Sequence, residues 1–256
     1  MGLHGKDQRG KMKKIFIFDV DGTLTPSRRP MTKEFQKFFG EWAKTNKFYL
    51  VTGSDLLKLQ EQMCFYDIEA ERIFTCCGNE MWKPDPHTVN TSANLVYSHK
   101  FNIPDDLLKY LEDTLDSSDY PIKAGNHIED RGSMVNFSMV GRKCSLQERK
   151  DYFKYDELTG EREKIAKYIR DTWEDLDAVI GGQISIDIYP KGKDKSQILE
   201  HIEKQHPKGE IIFIGDRIEE GGNDYPLAQL MDNITDCSWF QTDSWEHTIQ
   251  ILENLR

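Results

Sequence analysis

Lys14-Ile-Phe-Ile-Phe18 runs directly into Asp19-Val-Asp-Gly-Thr-Leu-Thr25. An apolar run without polar alternation suits a strand buried on both faces, as in a parallel sheet. The residues after it supply two carboxylates, a glycine that permits a tight turn, and hydroxyls. Ligands of open parallel sheets sit beyond the carboxyl ends of the strands, so Asp19 and Asp21 are candidate site residues from the outset.

Outward from this stretch, Phe35, Phe38, Phe39 and Trp42 repeat at helical spacing after Thr32. Phe48-Tyr-Leu-Val51 predicts a second buried strand, and Ser54 is placed as the cap of a helix carrying Leu56, Leu59 and Met63. Ile73-Phe-Thr-Cys76 predicts a third strand. The rhythm breaks at Lys83-Pro-Asp-Pro86, which suits a linker.

The middle of the chain predicts a helix over 104–115, strands near 127–131 and 133–139, and a helix over 162–173. Ile184-Ser-Ile-Asp-Ile-Tyr189 alternates, which puts the three isoleucines on a core face and Ser185, Asp187 and Tyr189 on the other. Strand and helix then resume: a helix from Lys195, a strand Ile211-Ile-Phe-Ile214 ending in Gly215-Asp216, and a last helix through Trp245, Ile249, Leu252 and Leu255. The expected fold class is therefore α/β, a Rossmann-like doubly wound parallel core over 13–88 and 190–256 with an inserted α+β cap over 89–189. Residues 1–12 read as a disordered leader.

Composition narrows the function. The 256 residues carry 34 Lys+Arg against 44 Asp+Glu, a formal charge of −10, which argues against a nucleic-acid partner. No apolar run approaches the ~18–20 residues that span a bilayer, so no membrane partner is expected. Five cysteines without CxxC pairs suit thiols in a reducing compartment, and the expected location is cytoplasmic.

Asp19, Asp21 and Asp216 all stand at strand ends. Three carboxylates converging there would repel one another unless a hard cation lay among them, and Mg2+ suits oxygen donors of this kind. Ser54 at a helix start and Lys195 before another can bind phosphate. The chemistry this suggests is attack of Asp19 on phosphorus, with Asp21 protonating the leaving oxygen. In the middle region Arg131, Arg142 and Arg149 cluster in sequence, with Ser145-Leu-Gln-Glu148 as a capping box for a short helix bearing Arg149. Such a cluster suits a second phosphate that is held rather than transferred, while pairing with Glu129, Asp130 or Glu148 is the plainer use of the same arginines.

Asp19-Val-Asp-Gly-Thr23, Ser54, Lys195 and Gly215-Asp216 with Asn223-Asp224 resemble the four motifs of the haloacid-dehalogenase-like (HAD-like) phosphotransferases. From about Lys14 onwards the chain resembles their eukaryotic-type phosphomannomutase family. The closer match rests on Thr23-Leu-Thr25, Arg28, Gly53-Ser-Asp55, the run from Ile128 to Arg149, Gly181-Gly-Gln-Ile-Ser185 with Asp187, and Gly221-Gly-Asn-Asp224. The resemblance implies a mutase that interconverts mannose 6-phosphate and mannose 1-phosphate with Mg2+ and a hexose 1,6-bisphosphate primer, on the way to GDP-mannose. It implies that Arg28, Arg131, Arg142, Arg149, Ser185 and Asp187 bind a small phosphorylated sugar, and it allows a homodimer through the cap.

The chain departs from the family pattern at Thr52, at Cys76-Cys77-Gly78, at Ala124 and at Leu227-Ala-Gln-Leu230, where ligands for a second cation are missing. A phosphatase of the same fold and a catalytically idle sugar-phosphate-binding protein remain alternatives.

Overall fold

The computed structural model describes residues 12–64, 70–85 and 93–256. The expected leader, Met12 apart, and Pro86 of the expected linker lie outside the described residues. The chain divides into two compact units. One contains the described residues up to Ser98, Asp194–Glu220 and Asp224–Arg256; the other contains His99–Lys193 and Gly221–Asn223.

The first unit begins with β1 (Lys13–Phe18), α1 (Lys33–Ala43), β2 (Lys47–Val51), α2 (Leu56–Met63), β3 (Ile73–Thr75), β4 (Glu80–Pro84) and β5 (Ala93–Ser98). In the second unit follow α3 (Asp105–Ser117), β6 (Ile128–Asp130), β7 (Val135–Ser138), α4 (Leu146–Thr159), α5 (Glu161–Thr172), β8 (Leu176–Gly181) and β9 (Ser185–Pro190). The first unit is completed by α6 (Ile198–Gln205), β10 (Gly209–Gly215), α7 (Tyr225–Met231), β11 (Cys237–Gln241) and α8 (Trp245–Asn254).

Among the described residues, the first unit's sheet has seven strands in the order β11-β10-β1-β2-β3-β4-β5. The first five are parallel, and β4 and β5 extend the sheet antiparallel. As expected for a strand buried on both faces, β1 divides its side chains. Phe16 and Phe18 pack with Phe35, Phe39 and Trp42 of α1 and with Ile251 and Leu252 of α8. Ile15 and Ile17 pack with Ile198 and Ile202 of α6 and with Leu227 and Met231 of α7. Helices thus cover both faces. From β1 the chain moves to β2 and β3 on one side and returns as β10 and β11 on the other, so the topological switch lies between β1 and β10, where ligands of such sheets bind.

In the second unit an antiparallel sheet, in the order β6-β7-β9-β8, packs one face on three helices. Val135, Phe137, Ile186 and Ile188 form that face, against Leu107 and Leu111 of α3, Tyr152 of α4, and Ile165 and Ile169 of α5. Cross-strand register sets Glu129, Asn136 and Asp187 side by side on the other face, with Ser138 beside Ser185.

Several local readings differ from the structure. The cap of α2 is Asp55, whose Oδ1 accepts from Lys58 N at 2.8 Å; Ser54 lies one residue earlier. The helix over Arg149 is not short: the capping box is formed, but α4 continues to Thr159, and only Arg149 and Tyr152 on it are buried, so no apolar stripe marks its length. Lys83 and Pro84 end a strand rather than starting a linker, because Met81 is buried and Trp82 Nε1 donates to Thr75 Oγ1 at 2.8 Å. With β4 and β5 in the sheet, the division between units falls at Ser98/His99 and Lys193/Asp194, where the sequence reading had 88/89 and 189/190. No helix among the described residues is long and apolar enough to cross a membrane.

Phe39 is fully buried, edge-on to Phe18 at 5.4 Å and stacked on Trp42 at 5.3 Å. Phe39→Ala is expected to destabilise the protein by about 3–5 kcal/mol, read as a lower urea midpoint; a loss under about 1 kcal/mol would mean this aromatic layer is not packed as described.

Candidate active site

The turn after β1 is closed by its own backbone. Val20 O accepts from Leu24 N and Thr25 N at 3.0 and 3.1 Å, and Gly22 N donates to Thr25 O at 2.9 Å. Gly22 has φ +81°, and a Cβ there would collide with the Asp216 carboxylate, so the motif glycine serves both conformation and space. Asp19 N donates to Ile214 O at 3.0 Å, tying the end of β1 to β10, whose end carries Asp216.

Asp224 is the residue that completes this arrangement. Asp224 N donates to Arg217 O at 3.1 Å and Arg217 N donates to Asp224 Oδ2 at 3.0 Å, which folds the loop back to the end of β10. Gly215 leaves the room this needs: a Cβ there would lie 2.6 Å from Asp224 Oδ2. Asp19, Asp216 and Asp224 each offer a carboxylate oxygen within 4.8 Å of the others. Asp21 does not join them. Its Oδ1 accepts from Arg28 N at 2.6 Å and from Gln62 Nε2 at 2.9 Å, so the third carboxylate of the cluster is Asp224 where the sequence reading had Asp21.

Lys195 is fully buried and its Nζ donates to Asp19 Oδ1 and Asp224 Oδ1, both at 2.6 Å. Asp194 caps the 3₁₀ turn that presents it, accepting from Ser196 N at 2.7 Å. Burial, opposed by Lys195 and reinforced by Asp224 and Asp21, pushes the Asp19 carboxyl up to about 7. Burial and the charges of Asp19 and Asp224 also hold Asp216 well above the usual carboxylate range. Burial pulls the Lys195 ammonium down, but the Asp19 and Asp224 carboxylates outweigh it and keep the group well above its ordinary value.

Ionised together, the three carboxylates against one ammonium would leave two negative charges uncompensated in a largely buried place. An all-oxygen donor set with that excess fits a hard divalent cation.

Ser54 is buried at the carboxyl end of β2, the strand beside β1; its N–H donates to Thr52 Oγ1 at 3.1 Å and its carbonyl accepts from Cys76 N at 3.0 Å. The loop it contacts contains Cys76 and Cys77, both buried and both at positive φ, 50° and 58°. Arg28 is also at positive φ, 58°.

The remaining expected residues belong to the second unit. Arg131 Nη2 and Arg142 Nη2 donate to the same oxygen, Glu129 Oε2, at 2.8 and 2.5 Å, and Arg142 Nη1 donates to Ser185 Oγ at 3.3 Å. Asp187 is buried and accepts from Asn136 Nδ2 at 2.6 Å. Arg149 is buried in the first turn of α4.

A family model described as eukaryotic phosphomannomutase matches residues 35–255. This chain belongs to the eukaryotic phosphomannomutase family. A phosphomannomutase of Encephalitozoon cuniculi is 38% identical over 228 residues, 86% of this chain and 86% of the relative. The fold also matches solved structures: the IMP-bound, N-terminally truncated IMP-nucleotidase of Plasmodium falciparum (TM-score 0.61, 17% identity, 95% of this chain and 68% of that one) and a haloacid dehalogenase-like hydrolase from Bacteroides thetaiotaomicron (TM-score 0.55, 14% identity, 95% and 100%). The expected Rossmann-like HAD fold is thereby met.

For a phosphomannomutase-family chain, the sequence reading missed two groups that hold others in place, Gln62 on Asp21 and Arg162, and named Glu129 only as one of three acids open to the arginines. Arg162 is buried, donates from Nε to Asp156 Oδ2 at 2.8 Å, and from Nη1 to Gly182 O and Ser185 O at 2.9 and 3.3 Å, which fixes the chain just before Asp187. Gln62 is the only one with a local signal, a polar residue beside Met63 on the apolar face of a short helix.

The raised Asp19 carboxyl has a consequence for cation binding. With a folded value near 7 against an ordinary 3.8, its ionised form penalises the cation-free fold above pH 7, and the penalty is relieved as pH falls through 7. A cation needs the ionised form, so the rise in Tm caused by magnesium chloride over EDTA should be larger at pH 8 than at pH 6, by thermal shift. Asp19→Asn should remove most of that difference. Equal shifts at both pH values would put the cation elsewhere.

Proposed function

We propose that this chain is a magnesium-dependent phosphomannomutase that interconverts mannose 6-phosphate and mannose 1-phosphate through an aspartyl-phosphate and a hexose 1,6-bisphosphate. One observation carries the reading: a chain of this family holds two distinct sets of residues suited to phosphate. Asp19, Lys195 and Ser54 are in one unit, and Arg131 and Arg142, joined on Glu129 beside Ser185, are in the other. Hydrolysis needs one phosphate site. Transfer through a bisphosphate needs a place for the group transferred and another for the group held.

In one half-reaction a sugar hydroxyl attacks phosphorus of the aspartyl-phosphate, the bond from phosphorus to Asp19 breaks, and Asp21 takes the hydroxyl proton. In the other, Asp19 attacks the opposite phosphate of the bisphosphate and Asp21 returns the proton to the departing sugar oxygen. Asp21 Oδ1 already accepts two N–H donors, from Arg28 and Gln62, which leaves Oδ2 to carry the proton. Lys195 fixes Asp19 Oδ1, and Ser54 offers a hydroxyl to the phosphoryl oxygens. Asp19, Asp216 and Asp224 would hold Mg2+, which when bound neutralises charge on the phosphoryl group. Arg131, Arg142 and Arg149 hold the distal phosphate, Ser185 and Asp187 bind sugar hydroxyls, and Arg28 is a further substrate-binding residue. The five cysteines form no disulfide, which supports a reducing, cytoplasmic setting.

Mannose 1-phosphate supplied with magnesium and a hexose 1,6-bisphosphate primer should yield mannose 6-phosphate, followed by coupled assay or phosphorus NMR. Free phosphate released at the rate of substrate loss, without isomer, would make the protein a phosphatase, and binding without turnover would make it a sensor. Asp19→Asn should abolish phosphoenzyme and lower kcat by at least about a thousandfold; unchanged turnover would remove Asp19 from the reaction.

A further inference from the structure

We propose that Glu129 tunes the phosphate site of Arg131 and Arg142: its carboxylate holds both guanidiniums in position and keeps phosphoryl binding there weak enough to be undone in each turnover. The proposal rests on the phosphomannomutase reading and deepens it, by naming a positioning residue outside the expected set.

Two cations share one oxygen of Glu129, and they come from different loops. Arg131 lies in the turn between β6 and β7, and Arg142 lies beyond β7. Their backbones are anchored independently of Glu129, Arg131 N on Met134 O at 2.9 Å and Arg142 N on Asn126 O at 2.8 Å. Glu129 therefore acts on the ends of the side chains. Those ends are nearly buried, with side-chain exposures of 6% for Arg131 and 11% for Arg142, so without a carboxylate between them the two charges would repel with little solvent screening. Glu129 itself is more open, at 30%. Glu129 and Ser185 occupy only two of the five N–H donors of Arg142, which leaves it able to grip an anion while the pair is intact.

The local charge balance explains why an acid stands in an anion site. Glu129 heads a cross-strand row with Asn136 and Asp187, and the Asn136 amide donates to Asp187. The two guanidiniums thus share one carboxylate before any ligand arrives, which offsets part of their charge. For a protein that merely captures a sugar phosphate, such counter-charge only lowers affinity. For a mutase it has a use: the bisphosphate must release this site and present its other end, so an over-tight hold slows turnover.

Glu129→Gln keeps the shape and an acceptor oxygen and removes the charge. Glu129→Asp keeps the charge on a shorter arm. Asp171→Asn removes a charge from an exposed pair with Lys167 in the same unit and controls for net charge. Calorimetric titrations at constant ionic strength would use inorganic phosphate in EDTA and mannose 1-phosphate with magnesium. Glu129→Gln should bind both at least about threefold more tightly than the wild type, with KM and kcat falling together; Glu129→Asp should return toward wild type and Asp171→Asn should match it. Unchanged or weaker binding in Glu129→Gln, or equal tightening in Asp171→Asn, overturns the proposal. The two readings fail separately. If the wild type ignores mannose 1-phosphate while Glu129→Gln still tightens inorganic phosphate, the mutase reading falls and the role of Glu129 stands; an active mutase whose phosphate affinity ignores Glu129→Gln gives the reverse.

Discussion

The ammonium of Lys195 lies 2.6 Å from a carboxylate oxygen of Asp19 and 2.6 Å from one of Asp224, and none of the three is appreciably exposed. Burying one charge is costly, and burying three is tolerable only where each has a partner at hydrogen-bond distance. That requirement reaches far along the chain, because Asp19 follows β1, Lys195 precedes α6, and Asp224 closes the loop after β10. The switch between β1 and β10 brings their ends together, and the Lys195 contact joins them to the segment that enters α6. Removing Lys195 would leave a cluster of acids facing one another, whereas removing a residue such as Lys44 would break only an exposed pair worth little.

Small local features follow from the same constraint. Gly22 and Gly215 are bare because carboxylates occupy the space their Cβ atoms would take. The mutual pair between Arg217 and Asp224 curls the loop so that an acid eight residues beyond Asp216 returns to the same strand end. Even so, one ammonium does not balance three carboxylates, and burial raises both Asp19 and Asp216. A site held in this unfinished state is poised for a cation, which is the expected condition of a centre whose stability has been given up for function.

The parts of the molecule legible in the sequence are those where one physical rule acts alone. The apolar run Ile15–Phe18 reads as a doubly buried strand because both its faces meet helices, and Ile184, Ile186 and Ile188 read as a core face because their side of the sheet packs on helices while polar side chains alternate on the other. Thr32 and Ser145 occupy caps that local chemistry favours. What escaped was set by long-range pairing. β4 and β5 form because their backbones complete the sheet edge, although their sequence has a proline at Pro84 and exposed apolar residues at Leu95 and Val96. In the site, Asp19 and Lys195 are legible through a strand end and a helix start, but the choice of Asp224 over Asp21 depends on which acid a loop turns inward, and Arg28 and Gln62 claim Asp21 through contacts that no spacing encodes.

The two units handle charge in opposite ways. In the first, acids exceed bases around Lys195, and the deficit calls for a cation. In the second, one face of the sheet carries polar side chains, and there Arg131 and Arg142 share the carboxylate of Glu129, so the pair is ordered and part of its charge is offset before a ligand arrives. The difference follows from what each must do under the proposed reaction. A group that makes and breaks covalent bonds to phosphorus benefits from charge that develops only with its cofactor and substrate in place. A group that holds and releases the unreacted end benefits from donors already fixed in direction and from an attraction moderated in advance, since binding that persists equally in every state adds nothing to the rate of the step that follows.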